Sequence, residues 1–577
     1  MQRTPKENLD SLLHRLYAPQ SSESLDLMSS HLLQSCEQLS AINHNPTRWD
    51  ASTCVLITYA DSIRDHSRPG LATLRDVLNT HLKPLASVVH VLPFLESTSD
   101  GGFAVSSHHN LAERHGDWGD LNALAEGRSL MADLVLNHIS ASHPWVQDFV
   151  NDAEPGQSRI LTGEPGPCWD GVVRPRSSAL FTTLQSRSGS QQVWTTFGPD
   201  QVDVDWRTPS VLNGFADLMQ RFCRHGVSWI RLDAVGFIWK EPFTTCIHQP
   251  QAHQIVEVLR LLLDQTLPSG VLVTETNVPE QENLSYLLNG QEAHLAYNFP
   301  LPPLLLEAAI SGKADLLNHW LQSWPQLPSS TGLLNFTASH DGIGLRPLEG
   351  LMDQGRLIQL LIRCEQRGGL ISHRRLSDGT DSPYEINISW WSAMADGGID
   401  PGHLQIERFL MTQLLVLALP GIPGFYLPAL LATPNDLAGF RRTGHRRDLN
   451  RPTFRHSTLD NRLQDPHDPA SVVLDQLRTA MTIRSKLHAF EPEGPMAVLS
   501  GGREDVVILR RGDGADAIWA IHNLTPTRIS LSPSDLGCSA SDTRWCNRLP
   551  RTAEIDTSNA LLLEPFDVRW LQQESQR

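Results

Sequence analysis

No CxxC pair and no dense cysteine framework occur in the 577 residues; the eight cysteines, at 36, 54, 168, 223, 246, 364, 538 and 546, lie far apart. That excludes the disulfide scaffold of a small secreted domain, and reduced thiols are expected. Positive charge is also scarce. Lys and Arg number 47 against 64 Asp and Glu, a net charge of −17, so nucleic acid and anionic membranes are unfavourable partners over most of the surface, and an anionic small substrate needs a local cationic pocket. The opening MQRTPKENLDSLLHRLY lacks a basic segment followed by an apolar stretch and a small-residue cleavage site, which makes the cytoplasm the expected location. There is no metal-ligand spacing of the HxxxH or CxxC kind, and neither a metal nor a cofactor is expected.

Long apolar runs are nearly absent too. The exception is 409–432, FLMTQLLVLALPGIPGFYLPALLA, long enough to cross a bilayer. Pro420, Pro423 and Pro428 would break a spanning helix repeatedly, and the run reads instead as a buried helix (406–419), a Pro-Gly turn and a buried strand (422–427).

What is present is a large core: hydrophobic residues make up 40% and charged ones 19%, and the length suits several domains or one barrel with attachments. Residues 1–50 read as a helical extension, with apolar spacings of three and four in LDSLLHRLY and SLDLMSSHLLQSCEQL. Eight short apolar runs follow: CVLITY, VVHVLPF, SLMADLVLNH, VSWIRLDAV, GVLVTETN, AHLAYNF, LLNFTASHD and IPGFYL. Their length and β-branched content suit strands buried on both faces, the signature of a parallel sheet. With helical intervals between them they predict an α/β fold, a (β/α)₈ TIM barrel over 51–480. The long gaps after the third and seventh runs predict insertions at about 139–208 and 342–405. VVILRR, AIWAIHNL and ALLLEPFDVRWL, period-two and turn-rich, predict a C-terminal antiparallel β domain over 481–577.

Several strands end in ionisable residues: Asp133, Asn137 and His138 in DLVLNH, Arg231 and Asp233 in IRLDAV, Glu275 in TETN, and His340 and Asp341 in ASHDGIG. In a barrel these ends converge on one face, so carboxylates from three strands would enter one pocket. Burying carboxylates is costly, and a fold that does so has a chemical use for them. Glycosyl transfer is such a use: one carboxylate attacks the anomeric carbon while a second, protonated, releases the leaving oxygen, the two lying about 5 Å apart in retaining enzymes.

DLVLNH, IRLDAV, TETN and SHDGIG, in this order, resemble the four signature regions of the alpha-amylase superfamily. SDGGF, VVRPRSSALFT, VWTTFGPDQVDVDW, WKEPFTTCIHQPQAH, SPYEINISWW and TGHRRDLNR narrow the resemblance to its phosphorylases that act on sucrose or glucosylglycerate, over roughly 53–560. The resemblance implies Asp233 as nucleophile, Glu275 as general acid/base and Asp341 as transition-state stabiliser. It implies that Asp100, His138, Gln201, Arg231 and His340 hold the glucosyl unit, with Phe103 and Phe197 against its ring. Arg176 would meet phosphate together with a mobile loop carrying Tyr384 and residues 385–387, since a planar guanidinium suits phosphate oxygens. Arg447 would shape the subsite, the alternative being a solvated basic loop; Arg174 could equally be a structural ion pair. No metal is implied, although some amylases bind calcium near a position like Asn137. Adjacent Trp390 and Trp391 would face opposite ways on a strand, so at most one stacks on sugar.

The implied reaction moves an alpha-glucosyl unit between a small glucoside and inorganic phosphate through a covalent glucosyl-enzyme, in a monomer or homodimer. Glucosylglycerate is favoured over sucrose, because the helical extension and LRP after HDGIG resemble that branch. Arg346 and Arg447 are candidates to hold an acceptor's carboxylate; the alternative for Arg346 is an ion pair with Glu349. Two departures stand out: SDGGF carries glycine where relatives often have an acidic residue or alanine, and GFYLPALLATPND differs from the usual stretch after the eighth strand. An alpha-glucoside hydrolase shares the carboxylates and is the competing enzyme, with RPR and the YEINIS stretch favouring the phosphorylase. A catalytically dead scaffold would typically have lost one of the three.

Overall fold

A computed structural model of the chain describes residues 3–18, 20–40, 48–376, 380–396, 404–500, 502–537, 545–550 and 560–573. The eight apolar runs each form a strand: β1 (Val55–Thr58), β2 (Val88–Val91), β3 (Ser129–Val135), β4 (Val227–Asp233), β5 (Val271–Thr274), β6 (Leu295–Tyr297), β7 (Gly332–Phe336) and β8 (Ile422–Tyr426). They pair in chain order, all parallel, and β8 closes against β1 to complete the barrel. Strands so buried need apolar residues on both faces, which is why they read as runs rather than as alternations.

Helices wrap the outside. The helical extension forms α1 (Pro5–Leu16) and α2 (Ser22–Ser40). Thr4 and Glu7 cap α1 reciprocally, each side chain accepting from the other's backbone N–H. Its buried stripe, Leu9, Leu12, Leu13 and Leu16, follows the helical period. These two helices lie against α3 (Pro209–Arg224) and α4 (Pro250–Thr266) of the barrel wall, and Cys36 Sγ donates to Leu262 O at 3.6 Å.

Two small antiparallel pairs, Phe181–Ser186 with Gly189–Trp194 and His138–Ser140 with Gln201–Asp203, stand between β3 and β4. Between β7 and β8 a three-stranded sheet places Asp381–Asn387 between Ile343–Gly344 and Leu370–Arg375. At the carboxyl end, a five-stranded antiparallel sheet centres on Ile518–Asn523.

The 409–432 run is core. It forms α5 (Gln405–Ala418), buried almost all round, followed by β8. Among the described residues no helix is long and apolar enough to cross a membrane. Burial pushes the thiols of Cys54, Cys223 and Cys364 up to about 12, and none of these three is in a disulfide. Cys538 lies outside the described residues.

Two fully buried arginines join α5 to the C-terminal region. Arg484 Nε donates to Leu417 O at 3.0 Å and Arg511 Nη1 to Ala418 O at 2.7 Å, so two guanidinium groups terminate the helix where its dipole is negative. Arg511 Nη2 also reaches Glu491 O at 2.9 Å. Burial, with Arg484 nearby, pulls Arg511 down to about 9, and burial outweighs Glu491 and Asp50 to take Arg484 to about 10. Arg511→Met should orphan these buried carbonyls and destabilise the chain by about 3 kcal/mol or more, read as a lower urea midpoint; an unmoved midpoint would show that the carbonyls find water instead.

Candidate active site

The site starts from the register of two strands. In β4, Arg231 and Asp233 are two residues apart and project on one side, into the barrel. Pairing sets Asp133 of β3 directly beside Arg231, so both side chains share the interior. Arg231, 1% exposed, bonds Asp133 and donates through Nη1 to Asp233 Oδ1 at 2.8 Å, while its Nη2 stands 3.5 Å from Glu275 Oε2. His90 Nε2 lies 2.8 Å from the second oxygen of Asp133. Burial would raise Asp133, but His90 and Arg231 outweigh it and hold that carboxyl down at about 2. Asp133 therefore anchors the arginine.

Glu275 follows β5, its N–H donating to Leu232 O at 3.2 Å. Ala234, next to Asp233, is left-handed at φ 52° and turns its N–H toward Glu275 Oε2 at 3.3 Å. Burial pushes both Asp233 and Glu275 up, and Arg231 pulls both back. Two buried carboxyls this coupled do not both ionise readily. Arg231 hydrogen-bonds Asp233 and only approaches Glu275, so the two carboxyls share its positive charge unequally, while burial lifts Asp233 the further of the two.

Asp341 is set apart by its arginines. Arg447 pairs with Asp341, and also grips Glu385 through Nε at 3.1 Å and Nη2 at 2.9 Å; Arg451 Nη2 lies 3.8 Å from Asp341. Burial raises this carboxyl, but Arg447, His340 and Arg451 outweigh it and hold it well below the usual range. Asp100 is lowered in the same way, burial being opposed by Arg447, Arg451 and Arg176. In His138 and His340 burial wins over the nearby carboxylates and takes them down to about 4 and about 3, so both rings are neutral near pH 7.

One pocket of about 840 Å³, counted out to its open mouth, is lined by Asp233, Glu275, Asp341, Asp100, Phe103, His138, Arg176, Phe197, Gln201, His340, Tyr384 and Arg447. Arg231 is not in the lining; it lies beneath the carboxylates. Gln201 Nε2 donates to Asp100 Oδ2 at 3.2 Å and lies 3.0 Å from His138 Nε2. Phe103 stacks on His340 at 5.0 Å between ring centres, and Phe197 tilts against His138 at 5.1 Å. The glycines of SDGGF have a steric reason: Gly101 and Gly102 sit at φ 62° and 107°, and a Cβ on Gly101 would meet Tyr59 Oη at 2.8 Å.

Two expectations change and one alternative falls. Tyr384 and residues 385–387 are not on a loop but on the middle strand of a sheet, where neighbours on both sides pair their backbone. Glu385 turns from the pocket to Arg447 and accepts from Gly342 N at 2.8 Å. Trp390 and Trp391 are on a short helix, not a strand; both are buried, Trp390 Nε1 donates to Thr412 Oγ1 at 2.9 Å, and neither lines the pocket. Arg447 is not a solvated basic residue, because two carboxylates occupy its guanidinium.

Asn137 faces a cation of the protein's own: Lys240 Nζ donates to its Oδ1 at 2.5 Å and pairs with Asp203 at 2.7 Å. Among the described residues no group of three or more His, Cys, Asp or Glu is arranged to hold a metal ion. Sequence reasoning gave no role to Asn277, Phe237, Phe299 or Arg374, which also line the pocket. Asn277 is the last residue of TETN and could have been found from its strand end; Arg374 sits in an insertion whose pairing no local pattern reveals.

The model of the alpha-amylase catalytic domain matches residues 73–342. The chain is 40% identical over 479 residues to a curated glucosylglycerate phosphorylase of Allomeiothermus silvanus, covering 83% of this chain and 86% of that one. It is 33% identical to a glucosylglycerate phosphorylase of Escherichia coli, covering 91% and 92%. Among solved structures, sucrose 6F-phosphate phosphorylase from Thermoanaerobacter thermosaccharolyticum superposes with a TM-score of 0.71 at 25% identity, covering 82% of this chain and 94% of that one.

Because Arg447 is the main influence holding Asp341 ionised, Arg447→Met should raise the Asp341 carboxyl. The lost stabilisation of its charged form appears as pH falls, so the titration of Asp341, followed through its own side-chain carboxyl resonance, should move to higher pH by about one unit or more. A titration that stays in place would mean that Asp341 is held ionised by other groups.

Proposed function

Since the chain belongs to the alpha-amylase family, among its glycoside phosphorylases, we propose that it moves an alpha-glucosyl unit between 2-O-alpha-glucosylglycerate and inorganic phosphate with retention at the anomeric carbon. The observation that carries the proposal is the buried Asp233–Arg231–Glu275 arrangement at the floor of a pocket whose wall carries Arg174, Arg176 and Arg346.

Asp233, ionised by its bond to Arg231, attacks the anomeric carbon of the donor; the bond to the glycerate oxygen breaks, and Glu275 gives that oxygen its proton. The product is a β-glucosyl ester on Asp233. A phosphate oxygen then attacks the same carbon from the opposite side, the ester breaks back to the Asp233 carboxylate, and ionised Glu275 accepts the proton of the incoming acceptor. Alpha-glucose 1-phosphate leaves. Asp341, held ionised, and neutral His138 and His340 take the sugar hydroxyls, with Asp100 and Gln201 beside them.

Phosphate is an anion in a chain of net charge −17, and the pocket arginines are the local answer. Arg176 lies over the Phe197 ring at 5.9 Å, and Tyr384 lines the same pocket; we assign these two to phosphate. A monomer or a homodimer is the proposed state, and buried thiols suit a reducing cytoplasm. The extents 1–50, 51–480 and 481–577 are the proposed units of the chain.

Alpha-glucose 1-phosphate offered with D-glycerate or with fructose tests the reading through phosphate release. Glycerate should win by about tenfold or more in kcat/KM, since only it carries a charge for the arginines; equal rates would reject glucosylglycerate, and fast release in water alone would make the protein a hydrolase. Asp233→Asn should lower turnover by about a thousandfold or more in a folded protein. Glu275→Gln should slow glucosylglycerate about a hundredfold or more yet spare α-glucosyl fluoride, whose leaving group needs no proton. The alkaline limb, where raised Glu275 loses its proton, should vanish with it.

A further inference from the structure

Two of the five arginines that line the pocket are already committed. Arg447 is taken by Asp341 and Glu385, and Arg374 Nη2 donates to Glu349 at 2.8 Å. Arg174 keeps a buried Nε and Nη2 without a partner among the described residues, and Arg346, on the segment after β7, is in the same condition. Its Nε is buried with no hydrogen-bond partner among the described residues, and its nearest carboxylate, Glu349, stands 3.8 Å off, nearly half exposed and already bonded by Arg374. The same pocket wall holds an acceptor in that condition. Asn277 Oδ1 is buried and unpartnered among the described residues, and the strand Ile343–Gly344 that leads into Arg346 runs so close to Asn277 that a Cβ on Gly344 would strike its carboxamide. Both line the pocket that holds Asp233 and Glu275.

A buried donor and a buried acceptor left open in a closed wall cost stability unless a ligand completes them. The guanidinium asks for an anionic oxygen and the carboxamide oxygen asks for an O–H. Fructose offers no charge; hydrogen phosphate offers an anionic oxygen and an O–H, but is assigned above to Arg176 and Tyr384. A small hydroxy acid offers both from one short chain. We propose that Arg346 and Asn277 form the acceptor end of the pocket, Arg346 binding the carboxylate of a 2,3-dihydroxy acid and Asn277 accepting from its free 3-hydroxyl while the 2-oxygen faces Glu275. This rests on the phosphorylase reading above and adds to it the residues that set acceptor choice. It also divides the anions: phosphate goes to Arg176, on the insertion after β3, and the carboxylate to Arg346, on the segment after β7.

Three acceptors separate the two contacts, each run with alpha-glucose 1-phosphate on the same enzyme sample: D-glycerate, glycerol, which lacks the carboxylate, and D-lactate, which lacks the 3-hydroxyl. In Arg346→Gln the kcat/KM ratio of glycerate to glycerol should fall about ten- to a hundredfold, and that of lactate to glycerol likewise, as for loss of a charged hydrogen bond. In Asn277→Ala the ratio of glycerate to lactate should fall about fivefold. Ratios are independent of how much of each variant folds. Glu349→Gln should leave the glycerate to glycerol ratio within about twofold; a fall matching that of Arg346→Gln would place Arg346 in an ion pair instead and overturn the proposal. So would an Arg346→Gln enzyme that keeps its preference, or an Asn277→Ala enzyme that keeps its glycerate to lactate ratio. If the unaltered enzyme does not prefer glycerate to glycerol, it is the glucosylglycerate reading that fails.

Discussion

Everything in the pocket is arranged around one buried guanidinium. Arg231 is closed off from water, and it touches carboxylates from three strands, Asp133, Asp233 and Glu275. Removing such charges from water costs several kcal/mol per ion, and apolar replacements of similar volume are often no less stable. Stability does not explain the cluster. Its effect is to give two buried carboxyls unequal shares of one positive charge. Asp133 and His90 hold the arginine from behind, which lets it face forward without moving.

The other half of the site is tuned by a second arginine. Arg447 reaches across to Asp341 and Glu385 at once, tying a strand end of the barrel to the middle strand of the insertion after β7. One residue thereby sets a charge state and docks a subdomain. The neutral histidines are the counterpart: with burial outweighing nearby carboxylates, His138 and His340 contribute hydrogen bonds without charge. The pocket thus presents fixed anions at its floor and uncommitted cations at its rim, a gradient suited to a neutral sugar followed by an anionic acceptor.

Lys240 likewise serves two ends at once. Asn137 belongs to a strand-end motif, and a buried ammonium bridges it to Asp203, whose strand pairs with the one beginning at His138. A side chain supplies the positive charge between those two oxygens, and with it the position of the histidine.

The barrel and its carboxylates were legible in the chain because both depend on local pattern. A strand buried on both faces must be a short apolar run, and a side chain at its carboxyl end must enter the shared mouth whatever the helices do. Asp233, Glu275, Asp341 and Arg231 follow from that alone, as does the reading of 409–432 as core, since its prolines speak against a spanning helix. Which arginine meets which carboxylate did not follow. Arg447 and Arg346 looked alike in sequence, each a basic residue in a loop at the open face; the fold commits one to Asp341 and Glu385 and leaves the other in the pocket wall that also holds Asn277. Tyr384 read as loop because its strand lies in an insertion whose partners are tens of residues away, and the tryptophan pair was misplaced because a short capped helix and a strand end look the same over two residues. Pairing between distant segments decides such matters, and that pairing is set by packing in three dimensions, where no local spacing records it.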